Sequence, residues 1–141
     1  MCTNKSSLNA NTPLPQVIPV DGLVNFVNNN VLTGCAISHA QGSSTIVLEK
    51  AGLYKVSFNA DILGTAEGVV SLQLLNNNVA VVGALASETV AVGATSNVSF
   101  ETLIKVAPSC HCVNNISNIQ VQLQTTAATL TNANINVVKL A

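Results

Sequence analysis

The side chains best suited to chemistry sit in two short segments. Cys110-His111-Cys112 puts two thiols and an imidazole in three consecutive positions; Cys35 and His39 stand four apart upstream, and Cys2 lies near the start. Thiolates and imidazoles are the common ligands of zinc. The Cys-x-Cys spacing departs from the two-to-four-residue gap of such sites, and no second pair matches it. Cys110, His111 and Cys112 are therefore metal candidates by ligand chemistry alone, and no cofactor is expected. Cys110 and Cys112 are poorly placed to bridge each other, but either can pair with Cys35 or Cys2. With no secretion signal in view, free thiols are the expected state. Cys35 and His39 together would make a nucleophile and its base. On a strand, however, residues four apart are separated by about 13 Å, too far for proton transfer.

The acids offer no better site. Asp21, Glu49, Asp61, Glu67, Glu88 and Glu101 are scattered, without aromatic subsites to hold a sugar for carboxylate catalysis. Asp61 and Glu67 flank the turn around Gly64, but the Asp-x-Asp-x-Asp ligand pattern of a calcium loop is absent. Gly64-Thr65-Ala66-Glu67-Gly68 lacks the lysine and the following helix of a phosphate loop. The expectation is a protein without enzymatic activity and without catalytic residues.

The elements that carry these residues read as strands. Val occurs 20 times, and β-branched residues favour pleated, half-buried backbone. In Leu53–Ile62, Lys55, Ser57, Asn59 and Asp61 share one face; Tyr54, Val56, Phe58, Ala60 and Ile62 share the other. Asn97–Val106, Ile119–Gln124 and Ile135–Val137 alternate in the same way. Val69–Leu75 and Val79–Leu85, joined by Asn76-Asn77-Asn78, read as a hairpin, because Asn tolerates the positive φ of tight turns. Eight to ten strands are expected, near 16–20, 23–27, 33–38, 44–49, 53–63, 69–75, 79–86, 97–106, 116–125 and 130–140. Many short strands at this spacing mean a β-sandwich or barrel. Residues 1–15 read as a flexible N-terminal arm and residues 16–141 as one domain.

Composition narrows the partners. Of 141 residues only 8% are charged, against about 25% in an ordinary soluble domain. There are five Lys and no Arg, and the net charge is −1. That leaves no basic surface for a nucleic-acid backbone. No apolar run approaches the 18 residues of a membrane helix, and the first 15 residues lack the apolar core of a signal peptide. Neither nucleic acid nor membrane is expected as a partner. Asn (18), Ser (12) and Thr (12) replace the missing charge.

At Ala51-Gly52-Leu53-Tyr54-Lys55-Val56-Ser57-Phe58 the chain resembles the central strand of C1q/TNF-like jelly rolls. The hairpin Val70–Gly83 is similar to that of bacterial members of the group, found at the C-termini of collagen-like spore-surface proteins and in related phage proteins. Ala133–Leu140 resembles their closing strand. The resemblance spans roughly residues 16–141 and implies a ten-stranded jelly-roll sandwich that forms a homotrimer. One sheet of each subunit would then be buried against its neighbours, accounting for strands such as Val79–Ala86 that are apolar or small on both faces. Tyr54, Val56, Phe58, Phe100, Leu103, Val121 and Leu123 are expected to pack the core. Residues 1–15 contain no Gly-x-y collagen repeat.

The functional expectation is therefore structural: a trimer on a particle surface, above all a phage virion accessory protein such as a head decoration or fibre tip. Such a protein is assembled in the host cytoplasm and ends on the virion surface. A spore-surface component and a receptor- or glycan-binding head are the alternatives. Attachment to a capsid partner is expected through the arm, by addition to a sheet edge.

Overall fold

The computed structural model describes residues 5–108 and 116–141. Within them eleven strands form: β1 (Ser7–Thr12), β2 (Gln16–Ile18), β3 (Asn28–Thr33), β4 (Ile37–Ser38), β5 (Ile46–Leu48), β6 (Gly52–Gly64), β7 (Gly68–Asn76), β8 (Val79–Val90), β9 (Thr95–Val106), β10 (Ser117–Gln124) and β11 (Ala128–Lys139). One sheet runs β3-β1-β11-β6-β9, with β2 also on β11; the other runs β4-β5-β10-β7-β8. The pairings are antiparallel throughout. The two sheets stack as a jelly-roll sandwich, the expected fold. Two five-strand paths supply ten strands and the short β2 is an addition. Contacts between β3 and β4, and between β8 and β9, set one flank of the sandwich opposite the other.

The core follows from alternation. In β6, Tyr54, Val56, Phe58, Ala60 and Ile62 are fully buried, as the sequence pattern requires. Phe58 stacks on Phe100 at 5.3 Å between ring centroids and meets Phe26 edge-on at 6.3 Å. Such aromatic pairs add about 0.5–1.5 kcal/mol beyond their buried area. The Tyr54 hydroxyl donates to the Lys50 carbonyl at 2.6 Å. Burial pushes its pKa up, partly offset by that hydrogen bond. Val121 and Leu123 are buried as expected. Leu103 is not: it is 56% exposed, and Ile104 takes the inward position instead. Alternation from Val98 and Phe100 itself puts Ile104 inward and Leu103 outward.

Gly52 explains part of the Gly-x-Tyr pattern. Its φ is +151°, and a Cβ there would lie 2.3 Å from the Ala141 carbonyl oxygen. The chain end runs across this glycine, with Leu53 N–H donating to Ala141 O at 3.1 Å and Leu140 N–H to Leu53 O at 2.7 Å.

Three expectations are corrected. Residues 7–12, assigned to a flexible arm, form β1 between β3 and β11. The physical reason is that Leu8 and Ala10 are buried while Asn9 and Asn11 face outward, a two-residue period too short to stand out in a polar segment. The strand expected at 23–27 is reduced to a bridge of Leu23 with Gln122. The strand expected at 33–38 is split: β3 begins at the Asn28-Asn29-Asn30 run, and only Ile37–Ser38 form β4. Gly34, at φ +76°, interrupts them, and its side is filled by Ser6.

β8 carries the largest irregularity. Gln73 pairs with Leu85 and Leu75 with Ala80, so four residues of β8, Val81–Ala84, face Leu74 alone. The excess bulges outward. Gly83 sits at φ +89°, a conformation costly for residues with a Cβ. Gln73, only 7% exposed, plugs the bulge: its Nε2 lies 2.9 Å from the Val81 carbonyl, 3.2 Å from that of Ala84 and 2.9 Å from that of Leu74.

Candidate functional site

The chemistry-bearing residues do not converge. Cys110, His111, Cys112 and Cys2 lie outside the described residues. Cys35 is disulfide-bonded, which departs from the expectation of free thiols and removes it as a nucleophile. Among the described residues, no group of three or more His, Cys, Asp or Glu side chains is placed to hold a metal.

His39 is a structural residue. It is buried against the edge of Phe26, with ring centroids 6.3 Å apart. Its Nδ1 is 2.5 Å from Asn29 Oδ1 and its Nε2 is 2.9 Å from the Ser43 carbonyl. The Asn29 amide returns a bond to the His39 carbonyl at 2.9 Å. The imidazole thus ties β3 to the turn that follows β4. In the sequence His39 stands out only beside Cys35, and no local pattern pairs it with Asn29, ten residues away.

Asp61 accepts hydrogen bonds from two amides. Asn97 donates to its Oδ1 at 2.9 Å and Asn132 to its Oδ2 at 3.2 Å. These bonds, Asn97 first, lower the carboxyl pKa. Asn132 reaches it from a bulge in β11 where its own φ is +55°. Lys55 and Glu101 form an exposed ion pair at 3.4 Å, an interaction worth at most about 1 kcal/mol at a surface.

Uncharged amides bond to one another on the outward faces of both sheets. On the β1-β11-β6 face, Asn9 Nδ2 donates to Asn134 Oδ1 at 2.8 Å and to Asn136 Oδ1 at 2.5 Å, and Asn59 stands opposite Asn134. On the other sheet, Gln120 donates to Thr45 Oγ1 at 2.7 Å and Gln124 to Gln122 Oε1 at 3.1 Å. The Asn9 bonds run across strands, the sheet counterpart of paired side chains on a helix, while Gln122 and Gln124 pair along β10.

The feature with the form of a binding surface is apolar. Along β8, Val79 is 68% exposed, Val82 98% and Leu85 50%. On the opposite flank a cleft of about 500 Å³ opens between β3 and β4–β5, lined by Leu32, Ile37, Ala40, Thr45 and Val47 beside His39. The sequence signal for the ridge was the run Val79–Ala86, apolar or small on both faces; the cleft had none.

The chain is similar in structure to solved proteins of one architecture. The globular domain of a zebrafish complement C1qA protein aligns with 96% of this chain and 98% of its own, with a TM-score of 0.72 and 11% identity. Murine APRIL matches with a TM-score of 0.68 over 96% of this chain and 99% of its own, at 12% identity. The PRD1 vertex protein P5 matches with a TM-score of 0.62 over 96% and 97%, at 16% identity. No family model and no curated protein sequence matches the chain. The likenesses show the fold, a C1q/TNF-like jelly roll.

Proposed function

We propose that this chain is a non-enzymatic structural module that self-associates as a homotrimer on a particle surface, as a virion accessory protein of a phage. The observation that carries the reading is the uncharged apolar ridge Val79, Val82 and Leu85 left open to water on β8. Exposed apolar surface of this kind is a mark of an interface, and the scarcity of charge across both sheets removes the usual obstacle to burying them. The likeness to the PRD1 vertex protein supports the particle surface. The trimer is the assembly that the jelly-roll resemblance implies. Attachment does not fall to residues 7–12, which are occupied inside a sheet; it belongs to another part of the trimer surface.

Light scattering coupled to size exclusion tests the assembly. Three subunits of 14.5 kDa each are expected. A mass of one subunit overturns the reading. Co-purification of the tagged protein with virions, by immunogold labelling of intact particles, tests the location, and unlabelled particles overturn it.

A further inference from the structure

The buried ring of His39 is set between two oxygens. Asn29 Oδ1 stands 2.5 Å from Nδ1, and the Ser43 carbonyl stands 2.9 Å from Nε2. Neither oxygen can become a donor. A main-chain carbonyl only accepts, and the Asn29 amide cannot turn over, because its Nδ2 donates to the His39 carbonyl at 2.9 Å. A neutral imidazole has one N–H and one lone pair, whereas the imidazolium has two N–H groups. The neutral ring therefore satisfies one oxygen and turns a lone pair toward the other. The charged ring satisfies both.

The two oxygens belong to different parts of the flank. Asn29 lies in β3, and Ser43 closes the turn that follows β4. That turn is hydrogen-bonded to the Phe26 segment: Gly42 N–H donates to the Phe26 carbonyl at 2.8 Å, and Phe26 N–H to the Ser43 carbonyl at 3.3 Å. β3 is largely exposed and β4 is two residues long, so side-chain bonds carry more of the load here than at the centre of either sheet. Among the described residues no charge faces the ring. The chain from Gly22 to Leu48 supplies β3, β4, β5, the turn and Phe26, and it has no Asp, Glu, Lys, Arg or second His. Its cysteine, Cys35, is disulfide-bonded. β1 and β10, paired with β3 and β5, carry no charge either. Glu49 and Lys50 stand past the other end of β4, with the Glu49 N–H on the Ala36 carbonyl. In β6, Lys55 and Asp61 point away from the core, where Phe58 meets Phe26.

We propose that His39 is a proton-dependent latch: with both ring nitrogens protonated it ties the turn Ala40–Ser43 to β3, and loss of one proton releases one of the two ties. Histidine is the side chain that changes charge between pH 5 and pH 8, so acid fastens this flank and rising pH loosens it. The neutrality of the acceptors is what makes the tie reversible. A carboxylate in the place of Asn29 would favour the charged ring through its own charge and make the tie permanent. Two amide-type oxygens offer hydrogen bonds alone, against the cost of burying a cation. His39 also lines the cleft between β3 and β4–β5, which gives the proton a path to water and makes the shape of that cleft the feature that responds to pH.

Nitrogen-15 spectra of the full chain, with the ring signals assigned to His39 through bonds, test the protonation state. At pH 5 both ring nitrogens should carry a proton; one protonated and one bare nitrogen overturns the proposal. Hydrogen exchange tests the consequence. The amides of Gly42 and Ser43 are bonded to the Phe26 and Ala40 carbonyls. Their protection, corrected for the intrinsic effect of pH on exchange, should fall about fivefold between pH 5 and pH 8, the change in an equilibrium constant that one ordinary hydrogen bond commands. Asn29→Ala removes the oxygen at Nδ1, so a neutral ring can serve Ser43 alone. In that variant the protection should be lower at pH 5 and flat up to pH 8. A wild type whose protection ignores pH, or a variant that keeps the wild-type response, overturns the latch. Should Asn29→Ala fail to fold, the ring spectrum and the wild-type exchange decide between the same two outcomes.

Discussion

β6 and β8 are strands of similar length, one with strict alternation of apolar and polar residues and one with an apolar run, and they meet opposite fates. β6 has a hydrogen-bonded neighbour on each side, β11 and β9, and the core beneath it. Its burial alternates strictly from Tyr54 to Ile62. β8 has β7 on one side and a free edge on the other; Ala84, Ala86 and Val90 face the core, while Val79, Val82 and Leu85 are exposed. The difference teaches what hydrophobicity in a strand is for. Where both edges are paired, apolar residues answer to the core of the same chain and their period reports the face. Where an edge is free, an apolar residue without that period is available to another chain.

The sharpest way to break this comparison is to remove a large side chain from the paired strand. Phe58→Ala opens a cavity among Phe26 and Phe100, and such truncations cost about 3–5 kcal/mol. Chemical denaturation should show a loss of that size. A loss under about 1 kcal/mol would mean that β6 does not anchor the core and that its regular burial is incidental.

The next effect lies in β8's own support. Gln73→Ala removes the donor shared by the carbonyls of Val81 and Ala84. Leaving buried acceptors unmatched costs about 1–3 kcal/mol. The loss should be accompanied by faster amide exchange across Val79–Leu85, since the bulge loses its plug. If exchange there is unchanged, the bulge is held by the backbone alone and Gln73 is a bystander.

A smaller effect comes from Tyr54→Phe, which keeps the ring in the core and deletes the hydroxyl bonded to Lys50. About 1 kcal/mol is expected, the usual net value of one hydrogen bond. The wild type should also lose stability at high pH, as the pH rises through the raised tyrosine pKa. The variant lacks that loss.

What was legible follows the same division. Strands with a clear two-residue period, β6, β9 and β10, lie within two residues of their expected bounds, and with them the buried Tyr54, Val56, Phe58, Val121 and Leu123. β1 escaped because its period is carried by Leu8 and Ala10 among Asn, Ser and Thr, where half-buried positions hold amides rather than charges. β3 escaped because an Asn run reads as a turn until its partner strand is known. The inward expectation for Leu103 runs against the alternation itself, since Val98 and Phe100 inward put Ile104 on the buried face. The cleft between β3 and β4 joins residues 32 to 47 through a turn braced by His39 and Asn29, and no local pattern announces a meeting of that kind.

The smallest expected effect tests the outward side of β6, where the comparison with β8 is least forced. Asp61 is the one acid on that face of β6, and Asn97 and Asn132 donate to its two oxygens. Their bonds favour the charged form, so the folded-state pKa lies below the ordinary 3.8. A group depressed in this way stabilises the fold fully above its unfolded pKa, and the contribution fades as the pH falls through the folded value. The window therefore starts near pH 3.8 and extends downward. Because Asp61 is open to solvent the amount is small, within the range of less than about 1 kcal/mol found for exposed charged contacts. In Asp61→Asn one amide donor then faces another, and the acid-dependent part of the stability disappears. Denaturation midpoints measured between pH 5 and pH 2.5 should fall more steeply for the wild type than for the variant. Parallel curves would show that the amides around Asp61 do no more than water does, and that the outward face of β6 is set by alternation alone.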